Sequence, residues 1–91
     1  MSYRILPYSY RQADKIGVEI KPSTVKGKKI DVYKGDKKVA SVGAKGYLDY
    51  PHYLAKDRAV AEERRKNYKA RHQGDRTKVG TPGWYADKLL W

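Results

Sequence analysis

The sequence predicts a small α+β domain, in which a three-stranded antiparallel β-meander carries a packed basic helix and a short C-terminal helix. Three patterns indicate this class. Apolar residues alternate with other residues between positions 16 and 42, as in half-buried strands. A basic segment from residue 57 to 72 and an aromatic segment from 84 to 91 both have helical spacing. With 91 residues, the chain is long enough for one domain and not for two.

The first fifteen residues are predicted to form an extended arm, and residues 16–91 the domain. Tyr3 and Tyr8 lie on either side of Pro7, and a proline disfavours helical backbone in the residue before it. Such an arm is ordered only when it docks on the domain or on a partner. It contains no apolar run resembling a secretory signal.

The first predicted strand is a short alternating segment. Ile16, Val18 and Ile20 recur at every second position, which places them on one face of a strand. Pro22 is expected to end this strand. Together with the hairpin that follows, it makes a three-stranded meander, near the minimum size of a stable sheet.

The strongest local pattern is a hairpin centred on Gly35-Asp36. Residues 30–34 and 37–42 are the two strands, and the glycine supplies the positive φ that a two-residue turn requires. With this loop, Val32 is expected to lie opposite Val39.

Two helices are predicted in the second half of the chain. Asp57 is a suitable N-cap for a helix that runs to about His72, and Gly74 is a suitable stop. The apolar stripe of this helix is thin, so most of its basic surface should stay free. The last segment, with Trp84 and Trp91 at helical spacing, is expected to dock into the core.

The charge of the chain predicts a polyanionic partner. Lys and Arg number 21 against 10 Asp and Glu, which gives a formal net charge of +11. Such a field attracts nucleic acid, and it attracts anionic membrane surfaces and acidic proteins as well. No stretch is long and apolar enough to insert into a membrane. The absence of cysteine excludes disulfides and thiolate metal sites and favours a reducing compartment over secretion.

No catalytic or cofactor motif is recognised, so the protein is predicted not to be an enzyme and to bind no cofactor and no metal. The glycines do not have the spacing of a phosphate-binding loop. His52 and His72 lie twenty positions apart without a matching carboxylate pattern, which is not the spacing of a metal site. The acidic residues alternate with Lys and Arg, as on a solvated surface.

The candidate nucleic-acid-binding residues form two clusters of different chemistry. The helix is rich in arginine, which makes bidentate phosphate or guanine contacts, whereas the hairpin offers lysine point charges. A tyrosine among the arginines can stack on a base or anchor the helix. A solvated face that only keeps the protein soluble is the alternative. The predicted residues are Arg64, Arg65, Lys69, Arg71, Arg76, Lys78 and Tyr68 in and after the helix, and Lys28, Lys29, Lys37 and Lys38 in the hairpin.

Five runs of the sequence carry a resemblance to known proteins: Lys26–Tyr33, Lys37–Tyr47, Asp49–Pro51, Glu63–His72 and Gly80–Trp91. Through these runs, residues 26–91 resemble a family of short uncharacterised proteins found in large DNA viruses of algae and amoebae and in some phages. The Arg-His segment and the Leu-Leu-Trp end are the most specific parts of the resemblance. The family has no assigned activity, so the resemblance implies a viral setting and not a mechanism.

These observations predict a small basic viral protein that binds DNA or RNA without sequence preference. It would act in the virion or in the nucleus or cytoplasm of the infected cell. The first alternative is a virion structural or minor capsid protein that contacts capsid subunits through its arm and aromatic surface. The second is an inhibitor of an enzyme or host factor. The sequence does not choose between DNA and RNA and does not fix the oligomeric state.

Overall fold

A computed structural model describes residues 3–91 and has the predicted α+β class. Its sheet is antiparallel with the strand order β1-β2-β3. The elements are α1 (Pro7–Ile16), β1 (Glu19–Pro22), β2 (Lys28–Lys34), β3 (Lys37–Ala44), α2 (Tyr50–Leu54), α3 (Arg58–Arg71), α4 (Gln73–Arg76) and α5 (Pro82–Leu90).

The prediction of an extended arm over residues 1–15 is wrong from Pro7 onward, where α1 begins. Its first two residues lie outside the described part. Pro7 occupies the start of the helix, where a missing N–H costs no hydrogen bond, and only the preceding Leu6 is extended. The helix continues to Ile16 and ends at Gly17, which has a φ of 73°. The first strand is therefore displaced from residues 16–20 to Glu19–Pro22.

Helix α1 is held against the last turn of α5. Ser9 Oγ donates a hydrogen bond to the carbonyl oxygen of Leu89 at 2.7 Å. Gln12 Nε2 donates to the carbonyl oxygen of Lys88 at 3.1 Å. The last carbonyls of a helix have no partner within it. The side chains of α1 therefore complete the hydrogen bonding of α5.

The hairpin around Gly35-Asp36 is confirmed, but the predicted register of Val32 is wrong. Tyr33 does lie opposite Lys38, as that loop requires. The next pair is Val32 with Ala40, because the strands shift register between Val32 and Tyr33. Val39 is the extra residue of a β-bulge, which no local pattern of apolar residues indicates.

The core lies between one face of the sheet and the helices α1 and α5. Ile30 and Val32 of β2 are fully buried, and Leu89 and Leu90 of α5 are buried with them. Helix α5 packs on β3, and α1 packs on α5 and β1. The predicted docking of the C-terminal segment is thus confirmed, and this segment contributes two of the largest buried side chains.

The basic helix α3 begins where the sequence predicts. The Asp57 carboxylate accepts hydrogen bonds from the backbone N–H groups of Ala59 and Val60 at 2.9 and 3.3 Å. The helix ends at Arg71, and Gly74, the predicted stop, lies within the short helix α4. Helix α3 packs chiefly on α2, so that α5, and not α3, covers the sheet.

Candidate nucleic-acid interface

A cleft of about 820 Å³ opens between the end of the sheet and α3. Lys28, Gly43 and Ala44 line its sheet side. Tyr47 from the segment between β3 and α2 and Trp91 at the C-terminal end also line it. A concave site of this size is the usual form of a ligand-binding site in proteins.

Helix α3 turns an unusual stripe of residues toward this cleft. Arg64, Asn67, Tyr68 and Arg71 all line it, and their spacing of three, four and seven positions places them on one helix face. A helix packed on a domain normally turns an apolar stripe inward. Here Ala61 is the one buried residue of α3. The cleft-facing stripe of α3 is therefore suited to a polar or charged ligand.

Three exposed cations of the two predicted clusters line this cleft. Arg64 and Arg71 come from α3, and Lys28 comes from the start of β2. All three side chains are exposed, and within residues 3–91 none of them forms an ion pair with a carboxylate. Their charges are therefore not neutralised by the part of the protein that the structure describes.

Aromatic side chains accompany these cations in the cleft. Tyr47 is 75% exposed, the largest exposure of any aromatic ring described. Tyr53 is half-buried, and the guanidinium carbon of Arg64 lies 5.7 Å from its ring centroid. Trp91 is also half-buried. Aromatic rings that reach the surface beside cations are typical of surfaces that bind single-stranded nucleic acid.

Tyr68, a predicted stacking residue, is already stacked on two neighbours. Its ring centroid lies 4.4 Å from that of His72, with an angle of 26° between the planes. It lies 4.4 Å from the Trp91 ring as well, with an angle of 8°. Two near-parallel rings at this distance occupy the two faces of the Tyr68 ring. Tyr68 therefore supports the cleft, and a base would find no free face on it.

Three other predicted residues of the basic helix and its continuation are used in packing. The ammonium of Lys69 lies 2.9 Å from a carboxylate oxygen of Asp87. Arg76 Nε donates a hydrogen bond to the carbonyl oxygen of Lys69 at 3.1 Å. The guanidinium of Arg65 lies 4.6 Å from the centroid of the Tyr50 ring. These three cations have partners in the fold and do not line the cleft.

Lys29 lines the cleft but is buried and paired. Its ammonium lies 3.0 Å from Oδ2 of Asp49, and the two side chains are 5% and 1% exposed. The same carboxylate accepts hydrogen bonds from the Tyr3 hydroxyl at 2.5 Å and from the backbone N–H of His52 at 3.3 Å. The Asp49 cluster, as we call these four residues, joins the N-terminal segment, β2 and α2.

The partners of Asp49 control the ionisation of the cluster. Burial opposes its charge, but the hydrogen bond from Tyr3 and the positive charge of Lys29 outweigh burial and lower the pKa of Asp49. Burial, followed by the hydrogen bond to Asp49, raises the pKa of the Tyr3 hydroxyl. The cluster therefore holds a carboxylate anion at neutral pH, and that anion neutralises Lys29.

The remaining predicted lysines lie outside the cleft. Lys37 and Lys38 follow the hairpin turn and are exposed, and Lys38 lies 3.9 Å from a carboxylate oxygen of Asp31. Lys78 is exposed between α4 and α5. These three side chains can reach a polyanion only if it extends beyond the cleft.

Sequence reasoning missed the aromatic and amide lining of the cleft. Tyr47, Tyr53 and Asn67 are not among the predicted binding residues, and Trp91 is predicted only to dock into the core, yet all four line the cleft. The spacing of Arg64, Asn67 and Arg71 on one helix face was the available signal for Asn67. No local pattern indicates that the turn containing Tyr47 lies beside that face, because the sheet and α3 meet only in the tertiary structure.

No protein-family model, curated protein or solved structure matches this chain. The viral resemblance therefore stays a prediction. Among residues 3–91, no group of three or more His, Cys, Asp or Glu side chains is placed to hold a metal ion. None of the helices in the same range is both long enough and apolar enough to cross a membrane.

Proposed function

We propose that this protein binds DNA or RNA without catalysis and without sequence preference, through contacts between its cleft cations and phosphate groups. The viral setting belongs to the same proposal, with the genome or its transcripts as the nucleic acid, in the virion or in the infected cell. Arg64, Arg71 and Lys28 are the cations assigned to these contacts.

The observation that supports the proposal is that two elements distant in sequence direct unpaired cations into one cleft. Lys28 lies on the sheet side, and Arg64 and Arg71 lie on α3. Arg64 and Arg71 are seven residues apart, so about two helical turns, or about 10 Å, separate them along the axis. A row of cations along a groove follows a chain of phosphates better than it fits one isolated anion.

The rest of the charge supports the same function at longer range. A formal charge of +11 on 91 residues speeds encounter with a polyanion. The exposed Lys37, Lys38 and Lys78 contribute to this field without lining the cleft. Contacts of this kind recognise the backbone of nucleic acid and carry no sequence information.

A titration at several salt concentrations tests the proposal. Contacts from three cleft cations predict that affinity falls at least about 20-fold between roughly 50 and 200 mM salt, and further if the hairpin lysines take part. The measurement is fluorescence anisotropy with labelled single-stranded and duplex oligonucleotides. Absence of binding at low salt, or an affinity that does not change with salt, would remove the proposal.

The alternative of a virion structural protein has lost one of its two supports. It relied on an extended N-terminal arm that reaches neighbouring subunits, and α1 instead packs on α5 and β1. Its remaining support is the exposed aromatic surface, which includes Tyr47 and Tyr10, 75% and 47% exposed. Absence of binding at low salt, or an affinity that does not change with salt, would favour this alternative.

A further inference from the structure

We infer that the cleft takes a single strand of nucleic acid, with an unpaired base stacked on Tyr47 and another packed against the exposed part of the Trp91 ring. This inference rests on the proposed function and deepens it, because it names the form of nucleic acid that the cleft accepts.

The first argument is the shape of the site. The cleft is concave, and both charged and aromatic side chains line it. A duplex is convex and hides the faces of its bases in the stack, so it would contact the rim of a cleft with phosphates alone. A single strand can place phosphates and base faces into the same groove. The rings in the cleft therefore have a use only if the bases are unpaired.

The second argument is the availability of the rings. Tyr47 is 75% exposed, and no aromatic ring or cation in residues 3–91 packs on it. A tyrosine ring in water exposes apolar surface, and a stacked base would cover that surface. Tyrosine stacks on every base because each base has a π-face, so the contact needs no sequence preference. This agrees with the proposed mode of binding.

The third argument is that Trp91 is held in place before any ligand binds. Its ring stacks on Tyr68, and Tyr68 stacks on His72, which makes a column of three rings at the C-terminal end of α3. One face of the indole is used in this column, and the ring also packs against the hydrophobic core. Its exposed part lines the cleft. A ring that is already fixed loses little side-chain entropy when a base stacks on it.

The fourth argument is the position of the arginines relative to the rings. Arg64 lies over the ring of Tyr53, 5.7 Å from its centroid, and both residues line the cleft. Arg71 lines the same cleft two turns further along α3. One end of the α3 face therefore combines Arg64 with the Tyr53 ring, and the other end has Arg71 and the ring of Trp91. Alternation of a cation and a ring suits the repeating phosphate and base of a single strand.

The test compares forms of nucleic acid of equal length. Oligothymidylate and oligouridylate of about 12 nucleotides cannot pair with themselves, and a duplex of the same length serves as the comparison. Anisotropy at low salt is expected to show tighter binding of both single strands than of the duplex. The DNA and RNA strands share the chemistry of the proposal, and the ratio of their affinities identifies the preferred sugar.

A set of tyrosine variants tests the stacking directly. Tyr47→Ala should weaken oligothymidylate binding about fivefold or more, the usual effect of removing one stacked base, and Tyr47→Phe should retain it. Tyr10→Ala is the matched control, because Tyr10 is 47% exposed on α1 and does not line the cleft. Thermal melts of all three variants establish that the fold is unchanged.

Tryptophan fluorescence gives a second, independent measurement. In a Trp84→Phe variant, Trp91 is the single tryptophan, since the chain has two. Addition of oligothymidylate should quench its emission, because a base stacks on the indole, and the duplex should not. Quenching by the single strand that is absent in Tyr47→Ala would show that the two rings act in one site.

The outcomes separate this inference from the function on which it rests. Binding of the duplex as tight as that of the single strands, or equal effects of Tyr47→Ala and Tyr10→Ala, would overturn the single-strand inference and leave phosphate binding intact. Failure of every oligonucleotide to bind at low salt would overturn the proposed function itself.

Discussion

The ammonium of Lys69 and the carboxylate of Asp87 lie 2.9 Å apart and join the basic helix α3 to α5. The side chain of Asp87 is 3% exposed and that of Lys69 is 30% exposed. A buried carboxylate without a partner carries a large desolvation cost. This lysine, which the sequence places among the binding cations, is therefore part of the fold.

Replacement of Lys69 by methionine is expected to lower the free energy of unfolding by about 1–3 kcal/mol, because Asp87 would stay buried without its partner. Urea denaturation measures the change. Lys66→Met is the control, since Lys66 is exposed on the same helix, and it should cost at most about 0.5 kcal/mol. Equal effects of the two substitutions would contradict a structural role of Lys69.

The double substitution Arg64→Gln with Arg71→Gln is expected to weaken binding and to spare the fold. Both side chains are exposed and unpaired within residues 3–91. The magnitude of the slope of log affinity against log salt should fall by roughly one to two, because two phosphate contacts are lost. The free energy of unfolding should change by less than about 1 kcal/mol.

A variant of equal net charge controls for the loss of charge alone. Arg11→Gln with Lys15→Gln removes two exposed cations from α1, which does not line the cleft. Its salt slope should stay close to that of the unmodified protein. If both double variants lose the same affinity, the overall field and not the cleft binds nucleic acid.

Gly43 is expected to tolerate no side chain, because β3, β2 and α5 meet there. Its φ is 82°, and a Cβ atom would lie 2.8 Å from Cδ of Lys29 and 2.9 Å from Cδ1 of Leu90. Gly43→Ala should therefore destabilise the protein by about 2 kcal/mol or more. Gly46→Ala separates the causes: Gly46 has a φ of 95° but nothing within 4 Å, so it measures the backbone strain without the clash. Equal losses in thermal melts would exclude the clash.

Asp31 should make the stability depend on pH in the acid range. Burial alone would raise its pKa, but hydrogen bonds from Ser23 and Ser41, at 2.6 and 2.7 Å, outweigh burial and lower it. A carboxyl whose pKa falls on folding contributes stability that is fully present above its unfolded-state pKa of about 3.9. This stability is lost as the pH falls through the lower folded-state pKa.

The substitution Asp31→Asn is therefore expected to reduce the loss of stability on acidification below about pH 5 and to lower the stability at neutral pH. Urea denaturation at a series of pH values measures both effects. Asp36→Asn, in the exposed hairpin turn, is the control and should leave the profile unchanged. An unaltered profile for Asp31→Asn would show that other carboxyl groups cause the acid sensitivity.

The parts of the fold that local sequence determines were predicted, and those that depend on packing were not. The Gly35-Asp36 turn and the Asp57 cap need only their immediate neighbours, and both are confirmed. The bulge at Val39 arises from pairing with β2 and has no local signal. Pro7 disfavours helical backbone only in the residue before it, and at the first position of a helix it is favourable, so it starts α1 and does not extend an arm.

The candidate site was predicted only in part, for the same reason. Composition and helical spacing point to Arg64 and Arg71 as exposed cations on one face of α3. They cannot show that Lys29 and Lys69 meet buried carboxylates, because Asp49 and Asp87 reach them only in the tertiary structure. Charge along a sequence thus identifies a basic surface and does not distinguish its binding cations from its structural ones.

The hydrogen bond from Ser9 to Leu89 has a consequence for the order of folding. The two residues are 80 positions apart, so their contact closes a long loop, at a higher cost in chain entropy than the turn between β2 and β3. Contacts between neighbouring strands are local and form quickly, whereas contacts of this range form slowly. Until α1 and α5 dock, the apolar face of β2 with Ile30 and Val32 stays open to solvent. During that interval the chain is most exposed to self-association, and its high positive charge opposes the encounter of two copies.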